Sequence, residues 1–312
     1  MKGFFTQSAV VLAERAFDLG ELERALDGLT IARRIEAEGA RSWMGGTPTL
    51  LLPFRPEVNG HVAVDVVDAL WPDAMGDPKA EAELFGAWTL GWFGPFVYPG
   101  NLERAVAQAH GWPDAARVVA RHRSFVRIKS SYVFGASPTA PVLPREYDAL
   151  AELRFVTEVA RRILGVTGSL CYFDPNGESL QPATTVDEQL AHDAEHGLPP
   201  LPLWANARLF NLEDADGWFM VDTIGMRQLD VVDHEACFNV DRFDIGEVVS
   251  FLRNATYYVQ QNGPVIEDGD TMDGPGGVRW RGTHFDESIA PAPRPVLRWI
   301  PLDGAEPPAR LR

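Results

Sequence analysis

Residues 204–238, WANARLFNLEDADGWFMVDTIGMRQLDVVDHEACF, constrain the fold more than any other stretch, because they supply consecutive extended segments separated by turns. Trp204, Ala207, Leu209 and Phe210 make one apolar run, and Trp218, Phe219, Met220 and Val221 make a second. Asp214, Asp216 and Gly217 between them carry turn chemistry, so the pair reads as an antiparallel hairpin. Asp222 and Thr223 then interrupt a segment that otherwise continues into Ile224 and Met226. A carboxylate in a half-buried strand needs a partner. The hairpin offers Arg208, which predicts a cross-strand Arg208–Asp222 ion pair. The alternative is that Asp222 and Thr223 hydrogen-bond the turn backbone ahead of Gly225.

The rest of the chain repeats this mixture of strand pairs and single helices. Residues 4–13 read as a strand, followed by a helical spacing of Leu22, Leu26, Leu29 and Ile35 that Gly39 can close. Thr49–Phe54 and His61–Val67 flank Pro56, Asn59 and Gly60, the chemistry of a second hairpin. Helical patterns at 79–88 and 101–112 enclose an aromatic loop with Trp92, Phe93, Phe96 and Tyr98. In RVVARHRSFVRIKSSYVFG, Arg121, Arg123, Arg127 and Lys129 alternate with apolar residues, which predicts either a charged edge strand with one wet face or an anion-binding strip. The segment 135–145, rich in proline and small residues, is the expected domain boundary. Beyond it come an amphipathic helix over 146–164, the strand GSLCYF, a short helix expected to start at a Thr185–Glu188 capping box, and a helix in IGEVVSFLRNATYYVQQNG stopped by Gly263. A last strand is expected around VLRWI. The architecture these elements predict is α+β: two lobes, 1–134 and 146–304, each a mostly antiparallel sheet with helices on one face, in the specific form of ferredoxin-like halves, and a loose tail at 305–312.

Charge and composition narrow the function classes. With 312 residues and 46% hydrophobic content the chain can bury a sizeable core. Its net charge of −16 repels nucleic acid and anionic membranes and favours a basic partner. Glu14 and Arg15 stand where a leader peptide would need small residues, and no window is apolar enough to span a bilayer, so a soluble, cytoplasmic chain is expected. Cys171 and Cys237 lie in apolar runs and are expected to be reduced core residues.

Two motifs carry candidate chemistry. His192-Asp193-Ala194-Glu195-His196 fits H-x-x-E-H, in which histidines four apart on one helix face bind zinc and the glutamate acts as base. The helix ends at once in Gly197, however, and an exposed last turn, where histidine suits the helix dipole, explains the same residues. Asp268, Asp270 and Asp273 have the density of a calcium loop without its spacing, which leaves a glycine-rich acidic turn as the other reading. No phosphate-binding glycine loop or nucleophile elbow is present, and no cofactor is expected.

The blocks WANARLFNL, WFMVDTIGMRQLDVVDHEACF and FLRNATYYVQQNGPVIEDGDTM, in that order, resemble the bacterial family known as domain of unknown function 4261. The matching positions are Asp222, Thr223, Gly225, Asp233, Gly269, Asp270 and Thr271, and the resemblance covers about residues 120–300. It implies an intracellular bacterial protein of a group associated with immunity and accessory roles beside secreted toxins, with no catalytic residues to carry over. The expectation is therefore a non-enzymatic cytosolic binding protein, an immunity protein that occludes a basic toxin. Its candidate binding residues are Asp214, Asp216, Glu267, Asp268, Asp270 and Asp273. The alternative is a hydrolase that is metal-dependent through His192 and His196.

Overall fold

The computed structural model describes residues 2–37, 42–137, 139–212, 215–305 and 307–311. The chain divides into two compact units, Met1–Trp204 and Ala205–Arg312. The segment 135–145 therefore lies inside the first unit, and the boundary expected there falls instead at Trp204. The indole of Trp204 is fully buried and donates to Thr157 Oγ1 at 2.8 Å, which fastens it to the first unit.

The first unit contains β1 (Gln7–Ala13), α1 (Leu19–Ala25), β2 (Arg33–Ile35), β3 (Thr49–Pro53), β4 (His61–Val67), α2 (Ala82–Thr89), α3 (Asn101–Ala107), α4 (Ala115–Val119), β5 (Ser124–Ser131), α5 (Ala149–Leu164), β6 (Ser169–Asp174), β7 (Ser179–Gln181), α6 (Ala183–His196) and α7 (Leu201–Trp204). Its seven strands form one antiparallel sheet in the order β2-β3-β4-β5-β1-β6-β7. Alternation sends Val10, Leu12, Phe125 and Phe173 to one face, where they pack with Trp71, Trp88 and Leu102 beneath α2, α3 and α4. Ala9 and Val11 point to the opposite face, where α5 lies along β1, β5 and β6. Asp148 caps α5 by accepting from Ala151 N at 2.9 Å. Helices thus cover both faces of this sheet rather than one.

Local chemistry explains where the first unit departs from sequence expectation. A capping box of Asp18 and Glu21 starts α1, but the helix stops at Ala25, Gly28 turns with φ +82°, and Arg33–Ile35 pair with β3 as an edge strand. The longer helix expected there is replaced by a strand, and Gly39 lies outside the described residues. The α6 helix begins at Ala183, two residues before Thr185, so the Thr185–Glu188 capping box is not used.

The second unit contains β8 (Asn206–Asn211), β9 (Trp218–Ile224), β10 (Asp233–Asn239), α8 (Ile245–Asn262), β11 (Thr271–Asp273), β12 (Arg279–Phe285) and β13 (Val296–Pro301). Its sheet runs β11-β12-β13-β10-β9-β8, antiparallel except for the parallel pair β10–β13. A helix and a hairpin separate β10 from β13, the length a parallel crossover requires. Asp244 caps α8, which packs on β9 and β10 and places Phe251 against Trp280 and Trp299. The opposite face gathers Met220, Cys237, Ala290 and Leu311. Leu311 is 1% exposed there, so the tail expected to be loose is anchored by one apolar side chain. Both units are α+β with mostly antiparallel sheets, and neither takes the four-stranded ferredoxin order.

Candidate functional site

One transverse row of the second sheet is charged where its neighbours are apolar. Pairing sets Arg208 on β8 opposite Asp222 on β9, Asp222 opposite Glu235 on β10, Glu235 beside Arg298 on β13, and Arg298 opposite Thr283 on β12. Cross-strand partners share a face, so these side chains stand side by side. Arg208 grips Asp222 with both arms of its fork, Nε to Oδ1 at 2.9 Å and Nη2 to Oδ2 at 2.6 Å. Arg294, from the segment before β13, adds its Nη2 to Asp222 Oδ2 at 2.5 Å and its Nε to Asp233 Oδ2 at 3.3 Å. Arg298 Nε donates to Glu235 Oε2 at 2.9 Å, and Ile289 N donates to Glu235 Oε1 at 2.7 Å. All six ionic side chains are at most 4% exposed, and three guanidiniums face three carboxylates. Burial pushes the Asp233 and Glu235 carboxyls upward, against the pull of Arg294 and Arg298 respectively.

The sequence-derived candidates fall outside this row. Glu267, Asp268, Asp270 and Asp273 are exposed on and beside β11, and Asp216 is exposed in the β8–β9 turn. Asp214 lies outside the described residues. The 267–273 segment is a hydrogen-bonded turn: Asp270 Oδ2 accepts from Glu267 N at 2.8 Å, Asp268 Oδ1 accepts from His284 N at 2.7 Å, and Asp273 pairs with Arg279 at 3.2 Å. Bonds from the His284 backbone and ring hold the Asp268 carboxyl below its usual range. Asp273 also borders a shallow concavity of about 840 Å³ shared with Asp244, Glu247 and the glycine-rich 274–277.

His192 and His196 stack with ring centroids 4.2 Å apart at the exposed end of α6. His196 Nδ1 meets the His192 carbonyl at 3.1 Å, while Asp193 between them is taken by Arg154 at 2.7 Å. No group of three histidine, cysteine, aspartate or glutamate side chains able to hold a metal occurs among the described residues. Cys171 and Cys237 are free and buried, and burial pushes the Cys171 thiol up to about 12.

The basic strip is buried, in contrast to both readings of it from sequence. β5 is an inner strand of the first sheet, between β4 and β1, and Arg127 and Lys129 are each 1% exposed. Asp65 on β4 receives Arg127 Nε at 2.8 Å and Lys129 Nζ at 3.1 Å, and Arg127 Nη1 donates to the Trp43 carbonyl at 2.9 Å. Lys129 Nζ lies 4.4 Å and 4.6 Å from the ring centroids of Phe5 and Trp92. Burial, with the Arg127 charge beside it, pushes the Lys129 ammonium down to about 7. Burial raises the Asp65 carboxyl, yet Arg127 and Lys129 hold it below its ordinary value. The strand part of the strip, expected to meet water or a free anion, is instead paired internally with one carboxylate from the neighbouring strand. Arg121 and Arg123, outside the strand, are exposed.

The second unit is therefore an α+β module with one face organised by a charge-balanced buried network. Residues 222–300 match the family described as "Domain of unknown function (DUF4261)", so the resemblance read over about 120–300 is shown for its C-terminal part. That span holds Asp222, Asp233, Glu235, Arg294 and Arg298, but not Arg208. No curated protein and no solved structure matches the chain. Among the described residues, no helix is long and apolar enough to cross a membrane.

Proposed function

We propose that this chain is a cytosolic, non-enzymatic binding protein that captures a basic protein partner by occlusion, as an immunity protein sequesters a toxin. One observation carries this reading: exposed carboxylates of Glu267, Asp268, Asp270 and Asp273 run along one contiguous segment into a shallow concavity that also presents Asp244 and Glu247. In a chain with net charge −16, such a surface accelerates encounter with a cationic protein and orients it. Occlusion needs area and complementarity rather than a reactive group, so fixed, hydrogen-bonded acids on a preformed turn suit it.

The test is co-expression with the product of the adjacent gene. Rescue from a toxic neighbour, with co-purification that weakens as salt rises, supports the proposal. A triple variant, Asp216→Lys, Glu267→Lys and Asp273→Lys, is expected to abolish rescue while circular dichroism stays unchanged. A toxic neighbour that is neither neutralised nor co-purified at low salt refutes it.

A further inference from the structure

The face that carries the charged row also carries a cavity, at the end of the row away from Arg208. The β12–β13 register sets Arg281 opposite Ile300 and Thr283 opposite Arg298, so Arg281, Thr283 and Phe285 share a face with Arg298 and Ile300. These residues and Leu311 line a cavity of about 540 Å³, a volume suited to a small organic ligand. We propose that this cavity binds a small amphipathic monocarboxylate, its carboxylate held between Arg298 and Arg281 and its apolar body lying on Phe285, Ile300 and Leu311.

Three observations carry the assignment. First, Arg298 is 3% exposed, held by a single Nε bond to Glu235 and seated 3.9 Å from the centroid of the Phe285 ring. A guanidinium has five donors, and both Nη groups of Arg298 are without a hydrogen-bond partner among the described residues. A buried fork fixed by its Nε and stacked on a ring is pre-set for a carboxylate, because no rotamer freedom remains to be lost on binding.

Second, Arg281 has no ion-pair partner among the described residues, in a chain where acids outnumber bases 44 to 28. Two acids on the neighbouring segments are engaged elsewhere: Asp273 of β11 with Arg279 at 3.2 Å, and Asp303 after β13 with Arg242 at 3.0 Å.

Third, the charge count selects a monoanion. Glu235 already balances Arg298, so the cavity carries one surplus positive charge, that of Arg281. A phosphomonoester dianion would leave one negative charge uncompensated beside Phe285, Ile300 and Leu311, whereas a carboxylate would not.

The experiment uses octanoate as probe on the full chain, followed by ligand-observed NMR and calorimetry, with octan-1-ol and octyl phosphate as comparators. Octanoate is expected to bind saturably at one site, and the other two at least about tenfold more weakly. Arg281→Ala, an exposed substitution, should weaken octanoate about tenfold and leave octan-1-ol unchanged. Arg298 variants risk unfolding by stranding Glu235, so the second variant is Thr283→Leu. It fills the cavity without altering charge and should weaken octanoate and octan-1-ol together, with the melting temperature preserved. Absence of saturable octanoate binding at millimolar concentration overturns the proposal. So does equal affinity for octanoate and octan-1-ol, preference for octyl phosphate, or octanoate binding unchanged in both variants.

Discussion

Asp222→Asn is the sharpest perturbation of the second unit. Asparagine keeps the volume and one acceptor oxygen, so the substitution opens no cavity and its cost is electrostatic. Asp222 is fully buried and faces Arg208 at 2.6 Å and Arg294 at 2.5 Å. Without its charge, three buried guanidiniums face two carboxylates, and Arg208 loses the carboxylate it grips with both arms of its fork. Breaking a buried pair from one side costs about 3–5 kcal/mol, against at most about 1 kcal/mol for an exposed pair such as Arg117–Asp114, whose side chains are 67% and 61% exposed. At roughly 4 °C per kcal/mol for a domain of this size, the transition of the second unit should fall by about 12–20 °C. Urea unfolding, followed through Trp280 and Trp299, measures the free energy directly. The Arg208→Met, Asp222→Asn double variant should lose about 1–3 kcal/mol less than the sum of the two singles. A single-variant loss under about 1 kcal/mol, or strict additivity, would refute the claim that these charges are desolvated and mutually dependent.

Two further outcomes follow from groups elsewhere in the units. Burial, with His284 nearby, lowers His234 to about 3, and its Nδ1 accepts from Trp299 Nε1 at 3.1 Å, so the folded state holds the ring neutral. Between the ordinary value of 6.5 and about 3 the unfolded chain binds a proton that the folded chain does not, so this contribution to stability is lost as pH falls through that window. The stability of the native protein relative to His234→Phe should therefore shrink by up to about 1.4 kcal/mol per pH unit on acidification below 6.5, and a gap independent of pH contradicts the assignment. Gly60→Ala would place a Cβ 2.0 Å from the Phe54 carbonyl oxygen and 2.8 Å from Tyr132, in the turn that sets the β3–β4 register. A loss of about 3 kcal/mol is expected in denaturant titration, whereas Gly111→Ala, with nothing within 4 Å, should stay within about 0.5 kcal/mol.

What the sequence made legible is what depends on neighbours along the chain. Period-two runs and turn residues locate β3, β4, β8 and β9, and hairpin closure alone brings Arg208 opposite Asp222, fourteen positions apart. Gly263 marks the end of α8 because a helix stop is local. The destination of a charge inside a strand is not local. Asp65 and Arg127 are 62 residues apart, Glu235 and Arg298 are 63, and Asp222 and Arg294 are 72. Alternation says that Arg127 and Lys129 share a face with Phe125; it cannot say whether water or a carboxylate waits there. The misplaced boundary has the same origin. Proline and small residues at 135–145 signal a loop, but β6 beyond that loop returns to pair with β1, a contact made more than 150 residues away in sequence. A charged residue recurring within otherwise apolar strands, as in VDV, FVRIKS, DHEACF and VLRWI, is the signal that could have pointed to both buried networks.

The charged row also explains why the second sheet adopts one register. Shifting a strand by one residue carries its whole side-chain set to the other face. For β9 a slip would turn Asp222 toward the α8 face, lined by Phe251, Trp280 and Trp299, while leaving Arg208 and Arg294 without their carboxylate. For β13 it would do the same to Arg298 and Glu235. Each misregistered state therefore strands buried ions on two faces at once, a cost of several kcal/mol per ion that an all-apolar face would not impose. The parallel β10–β13 pair, joined by a long crossover and not by a tight turn, has no hairpin to fix its alignment, and the Glu235–Arg298 contact supplies that constraint chemically. The same logic locates the proposed ligand site. Read from β8 the row carries a guanidinium at each end and two carboxylates between them, Arg208, Asp222, Glu235 and Arg298, and on β12 Arg298 meets the neutral Thr283. Arg298 thus has Glu235 on one side and no carboxylate opposite it on the other, and the carboxylate of a bound molecule in the adjoining cavity would stand on that open side.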